Sequence, residues 1–410
     1  MEVEIGIGKS GRRAYGFDDI AIVPSRRTRD PEDVDITWEL DAFKFELPVM
    51  GSAMDGALSP RTAIEMGHLG GVGCLNLEGL WTRYDDPDVL FEEIAELPNE
   101  KATRRMQEIY AEPIKEELIG RRIREIKDAG VVACASLTPQ RVEQYAKDVL
   151  EAELDILVIQ GTVVSAEHVS KTSEPLNLKK FIREFEVPII VGGCASYSTA
   201  LHLMRTGAVG VLVGVGPGAA CTTRGVLGIG VPQATAIADV QGARSQHMLE
   251  TGEYVNVIAD GGMRNGGDVS KAFACGADAV MIGSPLARAY EAPGRGYHWG
   301  MATFHPSLPR GARVKTTQNG TIEQILLGPA HENDGTFNLM GSLRTSMATC
   351  GYEDIPSFHR AEVMVAPALQ TEGKQLQRDQ SVGMGATAAA AAASPEVSNG
   401  VPADPALVGE

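Results

Sequence analysis

Short apolar runs alternate with helical segments between residues 49 and 282. The runs are rich in β-branched residues, and we predict strands over residues 49–53, 72–75, 131–135, 154–159, 187–191, 209–213, 255–259 and 279–282. The intervening helices are predicted over residues 60–68, 138–151, 176–185, 198–205, 234–249 and 268–274. Such an alternation indicates parallel strands joined by crossover helices, and about eight strands suffice to close an α/β (β/α)8 TIM barrel. An open doubly wound sheet remains the alternative.

Two regions break this alternation. Residues 81–127 are charged and helical without a predicted strand, and we interpret them as a short insertion on the barrel. Residues 366–410 carry an alanine run between Gly, Pro, Ser and Asn, a composition typical of a disordered tail. We therefore predict one catalytic barrel over residues 1–365, followed by that C-terminal tail.

The charge balance limits the classes of partner. The chain has 37 Lys and Arg against 54 Asp and Glu, a net charge of −17. Nucleic acids and anionic membranes both require clustered basic residues, so neither is expected as a partner. Six scattered cysteines without a metal-binding spacing, and no apolar run of about 20 residues, lead us to expect a cytoplasmic protein with reduced thiols.

The 46 glycines concentrate after the predicted strands. The densest cluster spans residues 214–230, and it places one thiol, Cys221, within a glycine-rich loop. The spacing matches neither a Rossmann fingerprint nor a P-loop. A mobile surface loop with an incidental cysteine is the alternative interpretation.

Two further glycine-rich turns follow the last two predicted strands. They are Asp260-Gly261-Gly262 and Gly283-Ser284. In a barrel these turns form the usual phosphate site, where free backbone N–H groups hold the anion without a basic side chain. Asp260 would then accept hydrogen bonds from a ribose diol, although an Asp here also suits a helix cap or a turn.

These residues, read in order, resemble the IMP dehydrogenase/GMP reductase family. Its catalytic-cysteine loop matches Gly216-Pro-Gly-Ala-Ala-Cys221-Thr-Thr-Arg224, followed by Gly228-Ile-Gly-Val-Pro-Gln233. Further matches are Phe17-Asp-Asp19, Pro48-Val-Met-Gly-Ser-Ala-Met-Asp55, Ala259-Asp-Gly-Gly-Met-Arg264, Met281-Ile-Gly-Ser284, Glu291-Ala-Pro-Gly294, Gly300-Met301, Leu343-Arg344 and Cys350-Gly351. The chain is most similar to the short members that lack the paired CBS regulatory module, because residues 81–127 are too few to form it.

The resemblance implies a barrel, a homotetramer or octamer, and covalent chemistry on a purine nucleotide. Cys221 would attack C2 of a 6-oxopurine 5′-monophosphate, while NAD, or NAD(P)H in the reverse direction, exchanges hydride with that carbon. Thr223 and Glu291 match a pair that handles protons on water or ammonia.

The resemblance also implies binding roles. Asp260 is expected at the ribose, Gly261, Gly262, Gly283 and Ser284 at the phosphate, and Ser52, Met54, Gly300 and Met301 around the base and ribose. The cofactor segment corresponds to Gln160, Gly161 and Thr162. Carbonyls of Gly216, Gly218 and Cys221 match a potassium site.

The expected direction of the reaction follows from the flap. The family's dehydrogenases activate water with an Arg-Tyr pair in a mobile flap; here the flap, at about residues 302–340, is shortened and lacks that pair. GMP reduction to IMP and ammonia needs no such step and is favoured. The alternatives are IMP oxidation with His305 or Arg310 as a substitute, and a nucleotide-binding paralogue without catalysis.

Several positions depart from the family pattern in both branches. A carboxylate of the cofactor segment is Gln160 here, and a His-Lys pair after the second strand is Asn76-Leu77. A phosphate-contacting serine is Ala219, a phosphate-contacting tyrosine is His298, and a strand-end asparagine is Gly193. These departures support the non-catalytic alternative.

Overall fold

The structure is a computed structural model that describes residues 2–169, 175–300, 305, 307–309, 311–366, 374, 376, 377, 380 and 382. Eight parallel strands form a closed barrel in chain order. They are β1 Val49–Gly51, β2 Val72–Asn76, β3 Cys134–Leu137, β4 Ile156–Gln160, β5 Ile189–Cys194, β6 Gly210–Val213, β7 Asn256–Asp260 and β8 Ala279–Ile282. Strand β8 closes the barrel against β1, with Val280 opposite Val49. The barrel prediction is confirmed and the open sheet is excluded.

Helices surround the strands. They are α1 Pro60–His68, α2 Asp88–Glu96, α3 Asn99–Ile109, α4 Glu116–Lys127, α5 Val142–Glu151, α6 Leu178–Glu184, α7 Tyr197–Met204, α8 Thr223–Leu227, α9 Gln233–Thr251, α10 Gly266–Ala274, α11 Ile322–Leu326, α12 Leu339–Thr349 and α13 Ile355–Phe358. Helix α1 shows how the sequence sets a boundary: the Ser59 side chain accepts the Thr62 N–H, and Pro60 occupies the first helical position.

Alternation along the strands separates two apolar layers. In β4, Ile156 and Val158 belong to the cluster inside the barrel, whereas Leu157 and Ile159 pack against the helices. A hairpin of Trp38–Leu40 and Phe43–Phe45 joins the inner cluster. Trp38 Nε1 donates to Asn256 Oδ1 over 2.8 Å, at the first residue of β7. The hairpin therefore closes the amino-terminal end of the barrel, which leaves the opposite end for a ligand.

The segment over residues 81–127 contains three helices, α2, α3 and α4. Helix α4 contacts α1 and α5 and lies in the outer ring between β2 and β3. It buries Leu118, Ile119 and Ile123, although charged residues dominate its sequence. It is thus the barrel's own crossover helix, and the additional helices are α2 and α3.

Other boundaries also differ from the prediction. The strand expected at residues 131–135 starts only at Cys134, because Val131 packs on α1, where a Cβ on Gly67 would lie 2.5 Å from the Val131 Cβ. The predicted disordered tail, residues 366–410, lies almost entirely outside the described residues. Within the described part of the chain, no helix has the length and apolar character needed to cross a membrane.

Candidate active site

A cavity of about 720 Å³ opens at the carboxyl-terminal ends of the barrel strands. Its size suits a nucleotide-sized ligand. Apart from Glu291 and Met301, every residue predicted for the site lines this cavity: Ser52, Met54, Gln160, Gly161, Thr162, Gly216, Gly218, Cys221, Thr223, Asp260, Gly261, Gly262, Gly283, Ser284 and Gly300. Met301 and Arg310 lie outside the described residues.

The loop that carries Cys221 is organised around Arg224. The Arg224 Nη2 donates to the Val231 carbonyl over 2.7 Å, and its Nε donates to the Val215 carbonyl over 3.4 Å. A Cβ at Gly216 would lie 2.9 Å from the Arg224 Cγ, and one at Gly230 would lie 2.7 Å from it. The glycines therefore let the loop close around one arginine, and these contacts argue against a surface loop without internal structure.

Cys221 and Thr223 form the reactive pair of the cavity. The Cys221 Sγ lies 3.1 Å from the Thr223 Oγ1, and Thr223 is the buried first residue of α8. All six cysteines are free, and Cys74, Cys134, Cys194 and Cys350 are buried. Cys221 is partly exposed and lines the cavity. It is the thiol with a hydroxyl neighbour and access to a ligand.

Asp260 ends strand β7 at the cavity wall. Burial raises the pKa of Asp260 to about 6, and a 3.1 Å hydrogen bond from Gln160 Nε2 acts in the opposite direction. The buried Gln233 Nε2 donates to the carbonyls of Val213 and Asp260, over 2.7 and 3.1 Å. This amide links the ends of β6 and β7, so the carboxylate has a fixed place.

The two glycine-rich turns offer backbone donors to the cavity. Gly261 and Gly262 have φ of +76° and +82°, a conformation that favours glycine. Gly261 N–H donates to the Met281 carbonyl, whereas the N–H groups of Gly262 and Ser284 have no partner among the described residues. A Cβ at Gly283 would lie 2.6 Å from the Met54 Sδ. The turns thus present free N–H groups in a space that side chains would fill.

The Ser284 hydroxyl contacts a buried histidine. Its Oγ lies 2.8 Å from the His298 Nε2, and the His298 Nδ1 lies 2.9 Å from the Thr316 Oγ1. His298 is 1% exposed, and burial lowers its pKa to about 4. The ring is therefore neutral near pH 7.

The far end of the cavity lies near the ends of β3 and β4. Gln160, Gly161 and Thr162 line it, together with Glu78 and the run from Thr138 to Gln140. Glu78 Oε1 accepts the Thr138 N–H over 2.6 Å. The sequence predicted residues 160–162 here but not Glu78 or residues 138–140, because no local motif marks these and only the barrel brings them beside β4.

Glu291 is not among the described residues that line the cavity. Its Oε2 accepts the Ile322 N–H over 3.2 Å, at the start of α11. Burial and the charge of Glu291 both raise the pKa of Glu65, which places the two carboxylates side by side. The Glu291 carboxylate thus contacts α11 and Glu65, and its role beside Thr223 stays a prediction.

His305 lines the cavity, but its ring is oriented as a donor. Its Nδ1 accepts the N–H groups of Ser307 and Leu308 over 3.3 and 3.0 Å. In a neutral ring this arrangement assigns the proton to Nε2. His305 would therefore donate from Nε2 rather than remove a proton from water.

No cluster of His, Cys, Asp and Glu side chains within the described ranges has the geometry to hold a metal ion. The potassium ligands expected from the sequence are carbonyls. The Gly218 carbonyl accepts the Cys221 N–H over 3.1 Å, which leaves one of its lone pairs free.

Comparisons with known proteins agree with this fold. The family model described as the IMP dehydrogenase/GMP reductase domain matches residues 14–375. An uncharacterised oxidoreductase of Mycolicibacterium smegmatis is 47% identical over 372 residues, which is 88% of this chain and 99% of that protein. An inosine-5′-monophosphate dehydrogenase of Methanocaldococcus jannaschii is 28% identical over 482 residues, which is 88% of this chain and 94% of that enzyme.

A solved structure is also similar over most of its length. It is an IMP dehydrogenase/GMP reductase-like protein from Corynebacterium glutamicum, with a TM-score of 0.85 and 48% sequence identity. The similarity covers 89% of this chain and 97% of that one. The cysteine loop and the two glycine-rich turns at the mouth of the barrel, together with these matches over nearly the whole described chain, show that it belongs to the IMP dehydrogenase/GMP reductase family of oxidoreductases.

Proposed function

We propose that this protein oxidises IMP to XMP with NAD, through a covalent bond between Cys221 and C2 of the purine. The observation that carries the proposal is the shared cavity: a thiol next to a buried hydroxyl faces two glycine-rich turns with free N–H groups. The turns suit a phosphate monoester, and Asp260 suits the ribose diol between phosphate and base. A 5′-monophosphate bound in this way would extend its base toward Cys221.

The chain's residues fit the chemistry of the covalent step. The Cys221 sulfur forms a bond to C2, and the hydrogen at C2 leaves as hydride. A bound nicotinamide supplies the hydride acceptor. In the structure the Cys221 thiol donates to the Thr223 Oγ1 over 3.1 Å; once the thiol has lost its proton, the Thr223 hydroxyl would donate to the thiolate before attack. Water then adds at C2, the carbon–sulfur bond breaks, and the thiol is restored.

The proposed direction rests on the named relatives. The Thr223 and Glu291 pair does not distinguish the two directions, because it would handle protons on water as well as on ammonia. A relative whose activity is named, from Methanocaldococcus jannaschii, is an IMP dehydrogenase. This similarity favours IMP oxidation over GMP reduction.

GMP reduction with NADPH is the second candidate. It is favoured by the absence of an Arg-Tyr pair from the flap sequence and by the donor orientation of His305. Without a base for water, the covalent adduct of IMP oxidation would be hydrolysed slowly. In GMP reduction, hydride adds to C2 as ammonia leaves, so no water is activated.

We also propose that the protein binds a potassium ion and forms a homo-oligomer. The carbonyls of Gly216, Gly218 and Cys221 belong to one loop, and carbonyl oxygens of this kind replace the hydration shell of potassium. Three carbonyls complete only part of that shell. The remaining ligands would come from a second subunit or from water, which fits a homotetramer or octamer.

The deciding experiment measures nicotinamide absorbance with two substrate pairs, IMP with NAD and GMP with NADPH, each with and without potassium. We expect reduction of NAD with IMP, stimulated by potassium, and none with the Cys221→Ala variant. Turnover of GMP with NADPH alone would reverse the direction. Tight nucleotide binding with neither turnover would indicate a non-catalytic paralogue. Turnover by Cys221→Ala would refute the covalent step.

A further inference from the structure

His298 links two hydroxyl groups, and one of them belongs to Ser284 in the second of the two glycine-rich turns. It belongs to the short strand Tyr297–His298, which pairs with Val314–Lys315, and Thr316 follows that partner strand. The His298 Nε2 lies 2.8 Å from the Ser284 Oγ, and its Nδ1 lies 2.9 Å from the Thr316 Oγ1. Ser284 lines the cavity. His298 is not among the described residues that line the cavity, so the Ser284 hydroxyl connects its imidazole to the cavity.

A neutral imidazole has one N–H donor and one acceptor nitrogen. Because both nitrogens already face hydroxyls, the bridge has two arrangements. In the first, Ser284 donates to the Nε2 and the Nδ1–H donates to Thr316. In the second, Thr316 donates to the Nδ1 and the Nε2–H donates to the Ser284 Oγ.

Only the second arrangement helps to bind an anion. In the first, the Ser284 proton points to His298, and the oxygen presents lone pairs that repel a phosphate. In the second, the Ser284 oxygen accepts from His298 and its O–H is free to donate into the cavity. The lining residues within the described ranges include no Lys or Arg, so the direction of each neutral donor matters more here than in a basic site.

We propose that His298 is a positioning residue for phosphate recognition: its Nε2–H tautomer, supported by the Thr316 hydroxyl, directs the Ser284 O–H toward the phosphate monoester of the nucleotide. This inference rests on the proposed function, because it requires a nucleotide phosphate at Ser284. It adds a chain of hydrogen bonds that runs from Thr316 through His298 and Ser284 to the phosphate of the ligand. The low pKa of His298 is consistent with a neutral relay.

The first test compares nucleotide with nucleoside. The His298→Leu variant should weaken IMP binding about tenfold or more, as expected for a lost hydrogen bond to a charged group. Its affinity for inosine, which lacks the phosphate, should equal that of the wild type. Equal weakening of both ligands would mean a general structural role and would overturn the proposal. Failure of the wild type to bind IMP would instead refute the proposed function.

The second test is a double-mutant cycle. Ser284→Ala should weaken IMP binding as much as His298→Leu, and the double variant should be no weaker than either single one, because both changes remove the same donor. Thr316→Val should act in the same direction with a smaller effect, and Thr316→Ser should match the wild type. Additive effects of Ser284→Ala and His298→Leu would contradict the relay.

The third test observes the tautomer directly. Nitrogen-15 spectra of histidine-labelled protein, with His298→Gln used to assign the signal, should show a protonated Nε2 and an unprotonated Nδ1 once IMP is bound. An Nδ1–H ring or an imidazolium in the complex would overturn the proposal.

The KM for IMP should rise in His298→Leu while kcat changes less than about threefold, since a positioning residue acts on binding.

Discussion

The Gln160 Nε2 donates a 3.1 Å hydrogen bond to the Asp260 Oδ2 across the mouth of the barrel, from β4 to the non-adjacent β7. The family pattern has a carboxylate where this chain has Gln160. A second carboxylate here would repel Asp260, whereas an amide donor stabilises its charged form. This departure from the family pattern thus stabilises the ionised form of the residue that is expected to bind ribose.

We predict that Gln160→Met moves the acid limit of nucleotide binding to higher pH. Ribose hydroxyls donate stronger hydrogen bonds to an ionised Asp260 than to a protonated one, so binding should weaken as the pH falls through about 6, the raised pKa of this carboxyl. Removing the Gln160 donor raises that pKa further. Calorimetric titration of IMP against pH checks this, and Gln140→Met in the same cavity is the control. An unmoved acid limit would exclude the coupling.

We expect Thr223→Val to lower kcat by roughly 10²- to 10³-fold while the affinity for IMP changes little, because the hydroxyl acts on the thiol and its protons. Thr223→Ser should retain most of the activity. Thr222→Val is the matched control, since the Thr222 side chain makes no capping hydrogen bond. Pre-steady-state kinetics measures the effect, and an equal loss in the control variant would show that the hydroxyl has no specific role.

Gly283→Ala should weaken nucleotide binding about tenfold with little loss of stability. The new Cβ would lie 2.6 Å from the Met54 Sδ, and that flexible side chain would move into the cavity. Gly225→Ala is the control, because a Cβ there meets no atom within 4 Å. Binding titrations and thermal melts distinguish the two effects. Recovery of affinity in Gly283→Ala combined with Met54→Ala would identify Met54 as the displaced group.

The buried ion pair of Arg244 and Asp278 should contribute strongly to the free energy of unfolding. Arg244 Nη1 lies 2.6 Å from the Asp278 Oδ2, and both side chains are nearly inaccessible. Asp278 also accepts the Tyr254 hydroxyl and the Val257 N–H. Arg244→Met leaves this carboxylate without its cation and should lower the free energy of unfolding by about 3–5 kcal/mol.

The matched control for that change is the surface pair of Arg205 and Glu250, 2.8 Å apart. Arg205→Met should cost less than about 1 kcal/mol, because water screens an exposed pair. Denaturant titration compares the two variants. Similar losses in both would mean that burial of the Arg244 pair adds nothing.

Asp55 should make stability depend on pH. It is 2% exposed, its Oδ2 accepts the Tyr110 hydroxyl and the Leu80 N–H, and burial raises its pKa to about 6. An unfolded aspartate titrates near pH ~3.9. A raised pKa favours the protonated folded state, so this contribution is complete below about pH 4 and is lost as the pH rises through about 6.

The change amounts to about 3 kcal/mol, at ~1.4 kcal/mol for each pKa unit. Asp55→Asn cannot titrate at this position. The difference in unfolding free energy, wild type minus variant, should therefore fall by most of that amount, about 2 kcal/mol, between about pH 4 and pH 6.5. Denaturant titrations at a series of pH values measure it, and a constant difference would mean that Asp55 has no raised pKa.

The sequence predicts the bounds of those helices and strands whose ends are marked by residues close by in the chain. Helix α1 and strand β8 have their predicted bounds, since a Ser-Pro start and a β-branched run mark them. The charged residues of α4 predict an insertion, whereas the structure shows that its apolar residues form a buried face. The glycine turns and Cys221 could be located because their chemistry lies in consecutive residues.

Side-chain direction across the barrel could not be predicted in this way. The motif containing Glu291 matched the family, yet its carboxylate turns to α11 and Glu65. The contacts of Gln160 with Asp260, and of His298 with Ser284 and Thr316, join residues from separate strands and turns. Such contacts depend on how the barrel closes, and the spacing of apolar residues along the chain does not predict them.

The arrangement of charge has a consequence for how a ligand arrives. The cavity-lining residues that the structure describes include Glu78 and Asp260 but no Lys or Arg, and the whole chain carries −17. A nucleotide dianion therefore approaches against a repulsive field and meets attractive N–H dipoles only at contact. Added salt should then raise the association rate and leave dissociation nearly unchanged, the opposite of an enzyme that steers its substrate with basic residues.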